Sequence, residues 1–160
     1  MKHPKFQTTP QVSRRMASVH LKGGKAETML AKALWHKGYR YRRNDRRLPG
    51  SPDIALARYR IAVFVDGEFW HGYRWAERRE RLKANRAYWL EKIQENIDRD
   101  RRNDLLLSDR GWTVLHLWEG EVKRDLEGCV RTVEELVLER IAARAEERSG
   151  PPCFSGDQIV

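Results

Sequence analysis

Apolar residues in the first half of the chain recur at helical spacing and then switch to unbroken runs, and that change of period predicts the order of the elements. Ala26, Met29, Leu30, Ala33 and Leu34 line one face of a helix over residues 25–36, with Gly38 placed to stop it. Residues 39–42 suit a short strand, and 44–51 hold the Asn, Asp, Pro and Gly of a turn. Two apolar runs, 53–57 and 61–65, predict neighbouring strands joined by a tight connection. Their near-continuous apolarity implies burial on both faces. Residues 72–84, dense in charge and aromatic rings, suit an exposed loop or irregular helix. Trp89, Ile93 and Ile97 then repeat at i, i+4, i+8 in a helix over about residues 86–109, which Gly111 ends. Residues 112–118 read as a buried strand. Val130, Val133, Leu136, Val137 and Ile141 mark a last amphipathic helix, broken at Ser149-Gly150-Pro151-Pro152. The order helix, three strands, helix, strand, helix predicts an α/β fold, a mixed β-sheet flanked by helices.

Length and charge narrow this picture. The chain has 160 residues, enough for one domain with a core and too few for two. Residues 1–24 read as a basic N-terminal arm, 25–147 as the folded domain and 148–160 as a flexible C-terminal tail. The formal net charge of +9 points to an anionic partner, because neutralising phosphates releases counterions. Nucleic acid is favoured over membrane. No stretch approaches the roughly 20 apolar residues of a bilayer span, and no apolar signal-peptide core is visible, so a cytoplasmic protein is expected. Cys129 and Cys153 suggest neither a disulfide framework nor a paired metal site.

The chemistry concentrates around the two apolar runs. Asp53 opens the first; Asp66, Glu68 and His71 follow the second. If those strands pair, Asp53 and Asp66 converge, and Glu68 falls on the face of Asp66 by two-residue alternation. Carboxylates gathered at a buried strand end are costly without a cation, so Asp53, Asp66 and Glu68, with the Val65 carbonyl as a further oxygen donor, point to Mg²⁺. Phosphodiester hydrolysis needs an activated water and charge neutralisation on the phosphate, which such a site supplies. His71 could take the proton from that water, since an imidazole titrates near neutrality. Read singly, Asp53 and Asp66 would be turn residues, Glu27 and Asp100 solvated helix positions, and His116 a core or supporting histidine. Phe69, Trp70, Tyr73, Trp75 and Trp89, interleaved with Arg74, Arg78, Arg79 and further cations, suit DNA contact: rings against bases, guanidinium groups on phosphates. For Phe69 and Trp89, packing in the core is an equal reading.

Leu48-Pro49-Gly50-Ser51-Pro52-Asp53, the run from Val63 to His71, the run from Trp89 to Asp100 and the run from Gly111 to Glu119 together resemble the very short patch repair endonucleases. The resemblance extends from about Ser13 to the last helix. It implies a restriction-endonuclease-like PD-(D/E)xK fold and Mg²⁺-dependent nicking of double-stranded DNA beside a T:G mismatch left by deamination of 5-methylcytosine. By position it implies a metal-binding role for Asp53, a catalytic histidine at His71, an acid on the first helix at Glu27, and at Asp100 the carboxylate that orients the histidine. Phe69, Trp70, Trp89 and, in the arm, Met16 fall where aromatic and apolar side chains wedge into DNA. It also allows other DNA repair or modification proteins as partners. A monomer is favoured, since a nick needs one active site.

The departures are local. Val65 and Asp66 stand where the best-known members carry threonine and histidine, and Glu68, Tyr73, Trp75 and Gly120 replace their zinc ligands, so no structural zinc is expected. Asp66 and Glu68 approach the pattern of restriction nucleases whose active-site lysine is a glutamate, which bears on mismatch specificity more than on cleavage. Two alternatives therefore stand beside nicking at mismatches: a restriction or defence endonuclease cutting paired DNA, and a DNA-binding module without catalysis. A structural protein with a cationic face is the plainest reading.

Overall fold

The computed structural model describes residues 24–67 and 74–150. The expected arm, apart from Gly24, and the expected tail beyond Gly150 therefore lie outside the described residues, as do Met16, Glu68, Phe69, Trp70, His71 and Tyr73.

Helix α1 (Lys25–His36) forms where its period predicts, burying Ala26, Leu30, Ala31 and Leu34. At its start the Glu27 carboxylate accepts the Gly24 N–H at 3.4 Å, satisfying a donor ahead of the helix. Gly38 ends it at φ 93°, the left-handed region that glycine enters without steric cost. Strand β1 (Arg42–Arg43) is shorter than expected and begins later. Ahead of it the Tyr41 hydroxyl donates to the Ala31 carbonyl at 2.7 Å and ties this segment back to α1.

Strands β2 (Ile54–Leu56) and β3 (Ile61–Asp66) pair antiparallel, joined by the tight turn expected between them, and β1 adds antiparallel to β2. Strand β4 (Thr113–Trp118) lies parallel to β3 on its other side, with Phe64 opposite His116 and Asp66 opposite Trp118. The result is a mixed four-stranded sheet in the order β1-β2-β3-β4. It is flanked by helices, in agreement with the α/β expectation. Central β2 is buried throughout and β3 nearly so, as their apolar runs require. The expectation of a buried β4 is corrected: only Leu117 is buried, because β4 ends the sheet and one flank lacks a neighbouring strand among the described residues.

Between β3 and β4 run α2 (Trp75–Arg81), short and without buried residues, and α3 (Arg86–Asp109), which spans the expected residues and stops at Gly111. After β4 comes α4 (Glu119–Arg124), one buried Val122 on six residues. It is too short for periodicity to reveal. Helix α5 (Leu126–Arg148) follows, with Asp125 capping it by accepting the Gly128 N–H at 3.0 Å. Its inward stripe is Cys129, Val130, Val133 and Val137, while Ile141, expected in that stripe, is 48% exposed. The helix outruns the sheet: 23 residues of helix span about 34 Å, whereas a six-residue strand spans about 20 Å.

Strand alternation divides the core in two. Ile61, Val63 and Val65 of β3, with Leu115 and Leu117 of β4, face α1 and α5 in the larger cluster. Ala62 and Phe64, with Val114 and Trp112, face Leu107 of α3 and Leu48 of the turn. Gly50 allows that turn to close at φ 76°: a Cβ there would stand 3.1 Å from the Asn103 amide nitrogen and 3.2 Å from the Phe64 ring. Asp66 and His116 continue the second face, toward α3. No helix among the described residues is long and apolar enough to cross a membrane.

Candidate active site

Where β2 begins and β3 ends, the two acids singled out from the sequence come together through the backbone. Asp53 precedes Ile54, which lies opposite Val63, so pairing carries Asp53 alongside the end of β3. Its Oδ2 accepts the Val65 N–H at 2.7 Å, fixing the carboxylate beside the residue that precedes Asp66. Asp66 is buried. Asp53, tied to the Val65 backbone, and Asp66, the next residue, thus lie at one end of the paired strands. Among the described residues no three His, Cys, Asp or Glu side chains surround a common point, and Glu68, the third acid of the expected set, lies outside them.

Asp66 is itself held. His116 Nδ1 is 2.6 Å from Asp66 Oδ2, and His116 Nε2 is 2.9 and 2.8 Å from the two Asp104 oxygens. The imidazole lies nearly parallel to the Phe64 ring, 4.9 Å between centroids with 13° between planes. Both ring nitrogens face carboxylates, which suits the imidazolium, in which both carry protons. Burial alone would lower the His116 pKa, but hydrogen bonds and charge from Asp66 and Asp104 outweigh it and raise the pKa to about 9. Sequence reasoning placed His116 among core or supporting residues. It is half-buried and bridges Asp66 and Asp104.

Asp104 was not anticipated. The signal was present in the α3 period: the face that buries Trp89, Ile93, Asn96 and Leu107 passes through Asp100 and Asp104 at four-residue spacing. A hydrophobic reading follows its two apolar ends and loses the polar middle. Asp100 lies one turn before Asp104, with Arg99 at 3.6 Å.

Glu27 is buried on α1, and its Oε2 meets Arg43 Nη2 at 3.3 Å. Arg43 stands opposite Ile54 in the sheet, so Glu27 approaches the Asp53 end through a guanidinium. Trp89 is buried, its ring edge-on to Tyr88 at 5.1 Å. Of the arginines expected to contact DNA, Arg78 and Arg79 lie exposed on α2, while Arg74 pairs with Glu77 at 2.8 Å. Arg86 reaches back from α3 to the Arg79 and Leu82 carbonyls, joining the two helices.

The chain is similar to known proteins over most of its length. Residues 5–77 match the family model described as DNA mismatch endonuclease Vsr. The chain is 43% identical over 125 residues to the type II nicking enzyme V.HpaIIP of Haemophilus parainfluenzae, covering 78% of this chain and 88% of that protein. It is 41% identical over 133 residues to the type II nicking enzyme V.NmeDIP of Neisseria meningitidis serogroup C, covering 83% and 90%. To the DNA mismatch endonuclease Vsr of Escherichia coli strain K12 it is 35% identical over 130 residues, covering 81% and 80%.

Proposed function

The chain belongs to the DNA mismatch endonuclease Vsr family, and from that premise we propose that it is a DNA endonuclease that nicks one strand beside a T:G mismatch in very short patch repair. The observation that carries this reading is the meeting of Asp53 and Asp66 at adjoining strand ends, with Asp53 locked to the Val65 N–H at 2.7 Å.

The donor set fits Mg²⁺. Two carboxylates and a carbonyl are the hard oxygen ligands this ion takes, and it keeps remaining positions for water and phosphate oxygens. Asp53 and Asp66 would hold it, with the Val65 carbonyl and Glu68 completing the protein's share. The bound ion supplies charge neutralisation at the phosphate and a more acidic water. The chain's own groups do the rest: His71 accepts the proton of the attacking water, Asp100 orients His71, and Glu27 supports the Asp53 side of the site. Trp89, which the sequence allowed on either side, is buried and follows its core reading instead. Phe69 and Trp70, with Met16 from the arm, would face the bases, and Arg78 and Arg79 the phosphates. The basic, exposed face of α2 supports that last assignment.

Strand-labelled duplexes, T:G-mismatched and fully paired, test the reading with Mg²⁺ or EDTA and with Asp53→Ala. The expected result is Mg²⁺-dependent nicking of the mismatched duplex, lost in the variant. Equal cutting of both strands of paired DNA would replace it with a restriction-type activity, and binding without any cleavage with a DNA-binding module.

A further inference from the structure

The proposed metal site gives Asp66 a task that depends on its orientation, and the structure surrounds Asp66 with more than its own strand requires. In the parallel β3–β4 ladder Phe64 faces His116, and Asp66 lies two residues further on the same side. That register sets the imidazole diagonally between the two. Its plane is fixed by stacking on Phe64, its Nδ1 meets Asp66 at 2.6 Å, and its Nε2 meets both oxygens of Asp104 from α3. We propose that His116, steadied by Asp104, is a positioning residue that aims the Asp66 carboxylate at the metal. Fixing one carboxylate oxygen fixes the direction of the other, and a ligand held in this way loses less freedom when the ion binds.

The competing role is mere cohesion, a polar tie between α3 and the sheet. The second core already makes that connection, since Leu107 of α3 is fully buried against Ala62 and Phe64. Cohesion also needs no particular nitrogen to face Asp66. Positioning does, so side chains that preserve different parts of the imidazole separate the two roles. His116→Phe keeps a ring against Phe64 and removes both nitrogens. His116→Asn gives up the stack but places an amide N–H donor where Nδ1 stood.

The inference rests on the metal-dependent nuclease reading, and the experiment keeps the two apart. Mn²⁺ binding to the full-length chain, followed by the electron paramagnetic resonance signal of the free ion, is measured for the parent protein, His116→Phe, His116→Asn and Asp53→Ala. Thermal unfolding and steady-state nicking of the T:G duplex accompany it. His116→Phe should bind Mn²⁺ about 10- to 100-fold more weakly and lose kcat to a similar extent, with KM for DNA unchanged. His116→Asn should recover both to within about threefold of the parent.

Parent-like Mn²⁺ affinity and kcat in a folded His116→Phe would overturn the inference. Equal losses in the Phe and Asn variants, tracking a lower melting temperature, would also overturn it in favour of cohesion. If His116→Phe does not fold, Asp104→Ala takes its place: about a tenfold loss of Mn²⁺ affinity supports positioning, and no change rejects it. Absence of Mn²⁺ binding in the parent, or parent-rate nicking by Asp53→Ala, would instead remove the metal-site reading and this inference with it.

Discussion

The carboxylate of Asp53 accepts the main-chain N–H of Val65 at 2.7 Å, so the acid that precedes β2 is tied to the backbone beside the acid that ends β3. This bond gives Asp53 a structural and a chemical part, which two substitutions separate. Asp53→Asn keeps an oxygen acceptor and removes the charge; Asp53→Ala removes both. Nicking should fall by at least about 100-fold in each, the scale of losing a principal electrostatic contact in a transition state. Urea unfolding should show Asp53→Asn close to the parent and Asp53→Ala about 1–2 kcal/mol less stable, because the Val65 N–H loses its partner. Parent-rate cleavage by Asp53→Asn would show that the charge is not needed.

The His116 imidazolium links stability to pH. Its pKa is about 9 in the folded protein, against an ordinary value of 6.5. A raised folded pKa stabilises fully below pH 6.5, and that contribution is lost as pH climbs toward 9. Solvent reaches the half-buried ring, so the stability lost over this interval should fall below the roughly 3 kcal/mol that such a shift would represent in a fully buried site. In EDTA, the difference in unfolding free energy between the parent and His116→Phe should therefore shrink between pH 6 and pH 9.5. A difference flat across that interval would mean that the folded imidazole titrates normally.

Glu27 and Arg43 form an ion pair in which Glu27 is buried and Arg43 retains about a third of its side-chain exposure. Glu27→Ala removes the partner of that guanidinium and the acceptor of the Gly24 N–H. The expected cost is about 1–2 kcal/mol in chemical denaturation, below the range for a fully buried pair because solvent screens Arg43. Glu27→Gln retains one oxygen acceptor, for the Gly24 N–H or for Arg43 but not for both in place, and should cost less than Glu27→Ala.

The arginines of α2 should differ in their effect on DNA. Arg78 and Arg79 are exposed, whereas Arg74 is engaged by Glu77. Replacing Arg78 or Arg79 by Ala should weaken binding to mismatched and paired duplexes alike and reduce the slope of log affinity against log salt by about 0.9 each. Arg74→Ala should change the slope by less. Fluorescence anisotropy across a salt series checks both statements, and equal slopes for all four proteins would take α2 off the phosphate backbone.

Much of the architecture was legible along the chain because the relevant forces act over a few residues. The α1 stripe from Ala26 to Leu34, the two apolar runs flanking the 57–60 turn and the long α3 period are local patterns, and each matches an observed element. The misreadings fall where the surroundings decide. Strand β4 is apolar enough for a central strand, yet it stands at the edge. Ile141 continues a helical stripe beyond the point where the sheet ends, and six-residue α4 is shorter than a pattern can resolve.

The candidate site divides along the same line. Sequence alone determined that Asp53 and Asp66 sit at the facing ends of two paired strands, because a short hairpin leaves little freedom in which ends meet. It did not determine which groups hold those acids. Asp66, Asp104 and His116 are separated by up to fifty residues and meet only through the β3–β4 register and the rotation of α3 about its axis. Both are set by core packing on the two sides of the sheet. The physical reason is that a side chain's period along its own element says which face it occupies, while the partner across that face is chosen by how separate elements dock.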